Sequence, residues 1–256
     1  TPLRKRRYAY SESFAAIAFA AHASATGSAA SADKARHWFK RFVDWNFLPN
    51  NAPPKFTGAR PLEALGPRMI TLVTAQELEL RLGESAELTG WIDRCIDDIR
   101  TLFVKPDLKV VMETVAPDGS ISDHFDGRTL NPGHAIEGAW FILEEAKRRN
   151  DPSLVKLGCD MLDWMWERGW DEEFGGLFYF RDVHGKPVQE YWQNMKFWWP
   201  HDEALIATLM ARRATGDDKY LAMHEKLRAW SFGKFSDSEH GEWYGYLNRD
   251  GSVSST

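Results

Sequence analysis

The pattern of apolar and polar positions changes its period several times along the chain. Over residues 132–149 the apolar side chains recur at helical spacing and form one stripe. Asn150-Asp151-Pro152 interrupts the stripe, and a second helical stripe follows, with Pro152 suited to its first turn. The same alternation of helix, break and helix occurs elsewhere in the chain. It predicts four helical hairpins, with helices over residues 10–25 and 32–47, 61–82 and 86–103, 132–149 and 154–166, and 198–214 and 219–235.

Between these hairpins lie short segments in which the period falls to two. Each combines alternating aromatic or aliphatic side chains with an Asp-Gly or His-Gly turn, which predicts a short β-hairpin. The turn glycines are Gly119, Gly185 and Gly251, so the unit repeats every 66 residues. The three segments are residues 107–120, 171–186 and 237–252.

Helix pairs repeated at this interval predict an all-α fold, the (α/α)6 toroid of helical hairpins with short β-hairpins between pairs. The first helix of each pair is expected to be buried on all sides and the second to be amphipathic. A six-pair ring needs about 400 residues at this repeat length. Residues 1–256 are therefore expected to be a single catalytic domain that covers about four of six hairpins and is incomplete at both ends. An open α-solenoid, with less uniformly apolar inner helices, is the alternative.

Composition narrows the class of protein. A net charge of −5 and a pI near 5.9 argue against a nucleic-acid partner, which selects for a basic surface. No apolar stretch approaches the roughly 20 residues that span a bilayer, so no membrane partner is predicted. Cys95 and Cys159 lack metal-ligand spacing and are interpreted as free thiols in a reducing compartment, which predicts a cytoplasmic location. The 12 Trp are either core residues or platforms that stack on sugar faces.

In a ring of hairpins, polar residues at the start of the inner helices line one mouth of the central cavity. His134 and Glu137 are three residues apart and share a helix face. An imidazole beside a carboxylate fits a general base that works near neutral pH. The same spacing fits a metal pair, but with one such motif no metal is predicted. The alternative for His134 is a helix N-terminal cap residue.

A second group of candidates opens the last inner helix. Trp198 and Trp199 are adjacent, so both cannot face the core of one helix, and at least one is expected to project toward the cavity and stack on a sugar ring. The alternative is that one of them packs under the hairpin. His201 and Glu203 follow on the same helix and are candidate substrate-binding residues.

Four motifs resemble the N-acylglucosamine 2-epimerase family. They are Asn131 to Trp140 (NPGHAIEGAW), Lys196 to Ala204 (KFWWPHDEA), Gly175 to Phe180 (GGLFYF) and Gly241 to Tyr246 (GEWYGY). The resemblance implies an (α/α)6 barrel, usually a homodimer, that interconverts sugars at C2. Cellobiose 2-epimerases and aldose–ketose isomerases are related branches.

The resemblance also implies roles for single residues. His134 matches the first of two histidines that face each other across the C2 atom of the substrate, and Glu137 matches the carboxylate one turn along. Arg128 resembles a substrate-binding arginine. The second histidine, and an arginine from the first helices, are expected outside this sequence. Positions that resemble cavity-lining ones are Tyr10, Trp198 and Glu203.

Gly66-Pro67-Arg68-Met69-Ile70 resembles the N-acylglucosamine branch of the family and favours an N-acetylated hexosamine as substrate. The expected reaction interconverts N-acyl-D-glucosamine and N-acyl-D-mannosamine, or a related aldose, with no required cofactor and with ATP as an activator in members of that branch. Two alternatives stay open. A glycoside hydrolase on the same toroid would use two carboxylates among Glu137, Asp202 and Glu203. A carbohydrate-binding or interaction module would have no catalysis.

Overall fold

The computed structural model describes residues 9–48, 51 and 55–254. Within that part of the chain, eight α-helices follow one another in pairs. Two-residue strands, one π-helical turn and one 3₁₀ turn lie between the pairs, and a last strand follows the fourth pair. The helices are α1 (Ser11–Thr26), α2 (Ala29–Phe47), α3 (Leu65–Leu82), α4 (Ala86–Asp98), α5 (Pro132–Arg149), α6 (Pro152–Gly169), α7 (Trp198–Thr215) and α8 (Asp218–Lys234). The strands are β1 (Glu63–Ala64), β2 (Val104–Lys105), β3 (Val110–Val111), β4 (Thr114–Val115), β5 (Thr129–Leu130), β6 (Arg181–Asp182), β7 (Lys196–Phe197) and β8 (Tyr246–Leu247).

The chain forms two compact units, which are described separately. The first comprises residues 1–102 with 116–120, and in it α1 packs against α2 and α3, and α3 against α4. The second comprises residues 103–115 with 121–256, and in it α5 packs against α6 and α7, and α7 against α8. Each unit therefore holds two of the four predicted helical hairpins. That residues 1–256 form one catalytic domain stays a prediction.

The helix ends follow the local chemistry of the sequence. The predicted helix over residues 132–149 is confirmed, with Pro132 in the first turn. Gly27 and Gly216 cap the C-termini of α1 and α7, where both glycines adopt the left-handed conformation, with φ of 72° and 74°.

Several predicted helix bounds differ from the structure: α2 begins at Ala29 rather than residue 32, and α6 ends at Gly169 rather than residue 166. The helix expected from residue 61 begins at Leu65, because Glu63–Ala64 is extended and forms β1. The helix expected over 86–103 ends as an α-helix at Asp98 and continues as a π-helical turn over Ile99–Phe103.

Burial of the first helix of each pair differs from the prediction for two of the four pairs. Helices α3 and α5 are buried on most sides. In α1 the buried residues form one stripe of small side chains, and Phe14 is 66% exposed. In α7 the buried stripe is again mostly small, and Ile206 and Leu209 are exposed. Small side chains allow close approach along one face only, so these two helices are not buried all round in their own units.

The 66-residue repeat is confirmed in the backbone pairing. Antiparallel bridges recur at Val104–Val111, Trp170–Leu177 and Ser236–Trp243. The three turn glycines also behave alike: the N–H of each donates to the carbonyl three residues earlier, and each has φ between 72° and 82°.

The prediction of one self-contained β-hairpin per segment is wrong for the later strands. Strand β6 pairs with β5 and β8 pairs with β7, so each joins the strand that leads directly into an inner helix. This pairing gives backbone groups of β5 and β7 hydrogen-bond partners on a neighbouring strand. It also fixes the chain just before α5 and α7, the two helices that carry the candidate site.

Candidate active site

His134 lies in the first turn of α5, where two features fix the backbone. Pro132 occupies the start of the helix, and the side-chain oxygen of Asn131 accepts the backbone N–H of His134 at 3.1 Å. The imidazole is also held. Its Nδ1 lies 3.0 Å and 3.1 Å from the two carboxylate oxygens of Glu113, and 3.1 Å from the amide nitrogen of Asn131. The side chain of His134 is 34% exposed, so the ring remains accessible.

Aromatic rings flank this imidazole. The ring of Trp199, from the first turn of α7, lies 5.0 Å from that of His134 at an angle of 32°. Tyr179 meets Trp199 edge to face at 6.0 Å. The close approach of α5 and α7 depends on Gly133, because a Cβ there would lie 2.8 Å from Trp199 and from Pro200.

Two carboxyl groups share the environment of the imidazole. Glu137 is one turn along α5, and burial, followed by the charge of Glu203, raises its pKa to about 7. Burial also raises the pKa of Glu203, against the effect of a hydrogen bond from Nε1 of Trp140 to Oε2 of Glu203 at 2.6 Å. Carboxyl groups with raised pKa values beside an imidazole are suited to proton transfer near neutral pH.

Arg128 lies on the loop that leads into α5, and carboxylates surround its guanidinium. Nε donates to Asp182 and an Nη donates to Asp123, both at 2.8 Å. These hydrogen bonds, of which that to Asp182 has the larger effect, raise the pKa of Arg128. The side chain is buried and ties the loop to β6, so its structural role is clear in the contacts. Its role in binding substrate stays a prediction.

The prediction that His201 contacts substrate is wrong. The residue is fully buried, and Nδ1 donates to the carbonyl of Phe197 at 2.7 Å while Nε2 accepts the N–H of Leu177 at 2.9 Å. Trp230 stacks on the ring at 4.9 Å. Burial lowers the pKa of His201 to about 3, so it is a neutral core residue. Its helical spacing alone could not distinguish this from a cavity-lining position.

Two further candidates differ in their surroundings. Trp198 is 45% exposed, and its role as a sugar platform stays a prediction. Tyr10 precedes α1 in the first unit, where its hydroxyl lies 2.9 Å from the place of a Cβ on Gly66 and its ring lies 6.2 Å from that of Phe42. A role for Tyr10 in substrate binding also stays a prediction.

The sequence matches the family model of N-acylglucosamine 2-epimerase (GlcNAc 2-epimerase) over residues 1–256. The chain belongs to the N-acylglucosamine 2-epimerase family. Its relatives include the N-acylglucosamine 2-epimerase of Mus musculus, 36% identical over all of this chain and 62% of that protein. The enzyme of the same name from Rattus norvegicus is 40% identical over 79% of this chain and 49% of that protein. The chain thus spans less than two thirds of the length of these relatives.

Solved structures confirm the predicted fold class, which is an all-α fold of the (α/α)6 toroid type. A cellobiose 2-epimerase from Bacillus thermoamylovorans superposes with a TM-score of 0.80 at 20% identity, over 97% of this chain and 66% of that one. A GH76 α-mannanase from Bacteroides thetaiotaomicron has a TM-score of 0.72 at 13% identity, over 93% and 64% of the two chains. At these identities the likeness concerns the fold.

Two residues of the candidate site, Glu113 and Trp140, are not predicted from the sequence. Glu113 is the lone acidic residue within an apolar run from Val110 to Val115, and such a position is the signal that could have identified it. In the sequence, Trp140 is one of the apolar residues that recur at helical spacing over residues 132–149. Its indole N–H, which needs a partner when buried, is what reaches Glu203.

Two absences within residues 9–48, 51 and 55–254 concern metal ions and membranes. These residues contain no group of three or more His, Cys, Asp or Glu side chains placed to hold a metal ion. None of the helices there is long and apolar enough to cross a membrane. Cys95 and Cys159 are free thiols, as predicted, and both are buried.

Proposed function

We propose that the protein is a sugar 2-epimerase that interconverts N-acyl-D-glucosamine and N-acyl-D-mannosamine by proton transfer at C2. The observation that carries the proposal is the accessible imidazole of His134, fixed by Glu113 and flanked by Trp199 and the partly buried carboxyl group of Glu137. Family membership supports the reaction class, and the relatives with this activity in their names support the substrate.

The chemistry follows from the acidity of the C2 proton in the open-chain aldose. A base removes this proton, and the electron pair of the C–H bond moves into the C1–C2 bond while the carbonyl π pair moves to oxygen. The resulting enolate, whose charge lies on the C1 oxygen, regains a proton at C2 from the opposite face, which inverts the centre with no net redox change. His134 is the proposed acid–base group on one face, and Glu137 and Glu203 adjust the charge around it.

The remaining parts of the proposal concern cofactors, assembly and location. No cofactor takes part in the proposed proton transfer, and ATP is proposed as an activator on the resemblance to the N-acylglucosamine branch. The same resemblance supports a homodimer. The two free thiols, Cys95 and Cys159, support a cytoplasmic location.

The test is proton exchange at C2, followed by NMR in D2O with N-acetylglucosamine and N-acetylmannosamine. The purified protein is expected to incorporate deuterium at C2 and to form the other epimer. His134→Asn is expected to lose this exchange while keeping its circular dichroism spectrum. His240→Asn is the matched control, because His240 is a largely exposed histidine outside the site and is expected to keep full activity. Wild-type exchange in His134→Asn would remove this residue from the mechanism.

A second candidate function rests on the two carboxyl groups with raised pKa values, Glu137 and Glu203, because a glycoside hydrolase needs one acid and one carboxylate. It predicts release of reducing sugar from an oligosaccharide, loss of that activity in Glu137→Gln, and retention in His134→Asn. Epimerisation without hydrolysis would exclude it.

A further inference from the structure

We propose that Glu113 is a positioning residue that selects the tautomer of His134, placing the proton on Nδ1 and the basic lone pair on Nε2. The inference deepens the proposed function and rests on it for its catalytic consequence. The position of this proton can be measured without substrate.

Two side chains compete for the same ring nitrogen. Glu113 brings both carboxylate oxygens to within 3.0 Å and 3.1 Å of Nδ1, and the amide nitrogen of Asn131 lies 3.1 Å from the same atom. An ionised carboxylate only accepts hydrogen bonds and an amide nitrogen only donates them. Glu113 therefore demands a proton on Nδ1, whereas Asn131 demands a lone pair there. One nitrogen cannot satisfy both.

The carboxylate is the stronger of the two partners. A hydrogen bond to a charged acceptor is roughly twice as strong as one between neutral groups. A lone pair on Nδ1 would also face two anionic oxygens at hydrogen-bonding distance, which is repulsive. The amide of Asn131 already has another function, because its oxygen caps α5 by accepting the backbone N–H of His134. The Nδ1–H tautomer is the outcome that these contacts favour.

Glu113 is well placed to hold that tautomer because its own backbone is fixed. Its N–H donates to the carbonyl of Thr129 at 3.1 Å, and it lies between β3 and β4, while Thr129 itself belongs to β5 just before the helix. Glu113 and His134 are 21 residues apart in sequence, but both are held next to the start of α5, where their side chains meet. The side chain of Glu113 is 21% exposed, so solvent screens the pair only in part.

Removing the carboxylate reverses the competition. In Glu113→Ala the amide nitrogen of Asn131 becomes the remaining donor to Nδ1, and the proton moves to Nε2. The nitrogen proposed to take the C2 proton then carries a hydrogen and cannot act as a base. In a serine protease, the equivalent loss of a tautomer-fixing carboxylate lowers kcat about 10⁴-fold. We expect a kcat loss of about 10³- to 10⁴-fold here, with KM changed little, because the substrate contacts remain.

The experiment is nitrogen NMR of protein labelled with ¹⁵N-histidine, at a pH where His134 is neutral, with His134→Asn used to assign its signals. In the unmodified protein the proton is expected on Nδ1. In Glu113→Ala it is expected on Nε2, and in the isosteric Glu113→Gln, whose amide can donate or accept, a mixture of tautomers with intermediate kcat is expected. Glu172→Ala, which removes an exposed carboxylate of the same unit, is the control and is expected to leave both readouts unchanged.

A proton on Nε2 in the unmodified protein would overturn the inference without any variant. So would an Nδ1–H tautomer that persists in both Glu113→Ala and Glu113→Gln. A tautomer that shifts while C2 exchange continues at the wild-type rate would uphold the positioning role and contradict the proposed base. Failure of the inference and failure of the proposed function are therefore separate results.

Discussion

The carboxylate of Asp171 anchors a buried ion cluster whose loss should destabilise the fold strongly. Its Oδ2 lies 3.0 Å from Nζ of Lys196 and 2.8 Å from Nε of Arg249, and the side chains of Asp171 and Lys196 are 1% and 0% exposed. Burial alone would raise the pKa of Asp171, but hydrogen bonds from Arg249 and Lys196 lower it to about 2. Asp171→Asn removes this charge without changing the shape of the side chain.

The cost of that substitution follows from the ammonium group left behind. Lys196 also faces the ring of Phe178 at 4.1 Å, and burial lowers its pKa to about 8 even with Asp171 beside it. Removing one partner of a buried ion pair costs about 3–5 kcal/mol. We expect a loss of that size at pH 6. Because the stranded lysine escapes the penalty by releasing its proton, the loss should shrink as the pH rises from 6 to 8.

The 66-residue repeat supplies a matched control. Asp237 occupies the equivalent turn, where its Oδ1 accepts the backbone N–H groups two and three residues later, as that of Asp171 does. Its ionic partner there is the exposed His240. Asp237→Asn should therefore change the free energy of unfolding little. The assay is urea denaturation followed by tryptophan fluorescence. Equal losses for the two variants would refute the reasoning, and recovery of stability in Asp171→Asn with Lys196→Met would support it.

Two further predictions concern the active site. The raised pKa of Glu137, about 7 against 4.5, means that the folded state retains a proton that the unfolded state releases, so the stability from this group is present below pH 4.5 and lost as the pH rises through 7. The melting temperature of Glu137→Gln should therefore rise relative to that of the unmodified protein between pH 5 and 8. A difference in melting temperature that does not change with pH would contradict this. Gly133→Ala should lower both melting temperature and epimerase turnover, because its Cβ would lie 2.8 Å from Trp199 and Pro200. Gly90→Ala in α4, with no atom within 4 Å, should instead stabilise the helix by about 1 kcal/mol, and similar behaviour of the two variants would count against the packing argument.

Local chemistry made much of the fold predictable. The helix over residues 132–149 follows from its apolar stripe, its proline start and the break at Asn150, and the structure gives the same bounds. The spacing of the turn glycines gave the repeat length, because a φ near +80° restricts those positions to glycine. The starts of α2 and α3 differ from the prediction, because Ser28 caps α2, which begins three residues ahead of the expected start, and residues 63–64 are extended in β1.

The residues of the candidate site were predictable where they open an inner helix, as His134 and Glu137 do on α5 and Trp199 and Glu203 do on α7. His134 and Glu137 emerged from their spacing, but Glu113 is joined to His134 by tertiary contact, which no periodicity encodes. His201 shows the converse error. It occupies a polar position at the start of an inner helix, yet the fold encloses it and satisfies both ring nitrogens with backbone groups. Distinguishing an enclosed histidine from a reactive one required knowledge of the neighbouring chain.

The double contact of Asn131 couples local folding to reactivity. This residue both starts α5 through its cap and touches the imidazole of His134, so the first turn of the helix and the position of the proposed base are linked. Transient fraying of that turn would move the imidazole away from Glu113 in the same event. Amide hydrogen exchange at the N-terminus of α5 would then report the fraction of molecules competent for turnover. Substitutions that loosen this one turn would lower activity in proportion, even in a protein whose global melting temperature is unchanged.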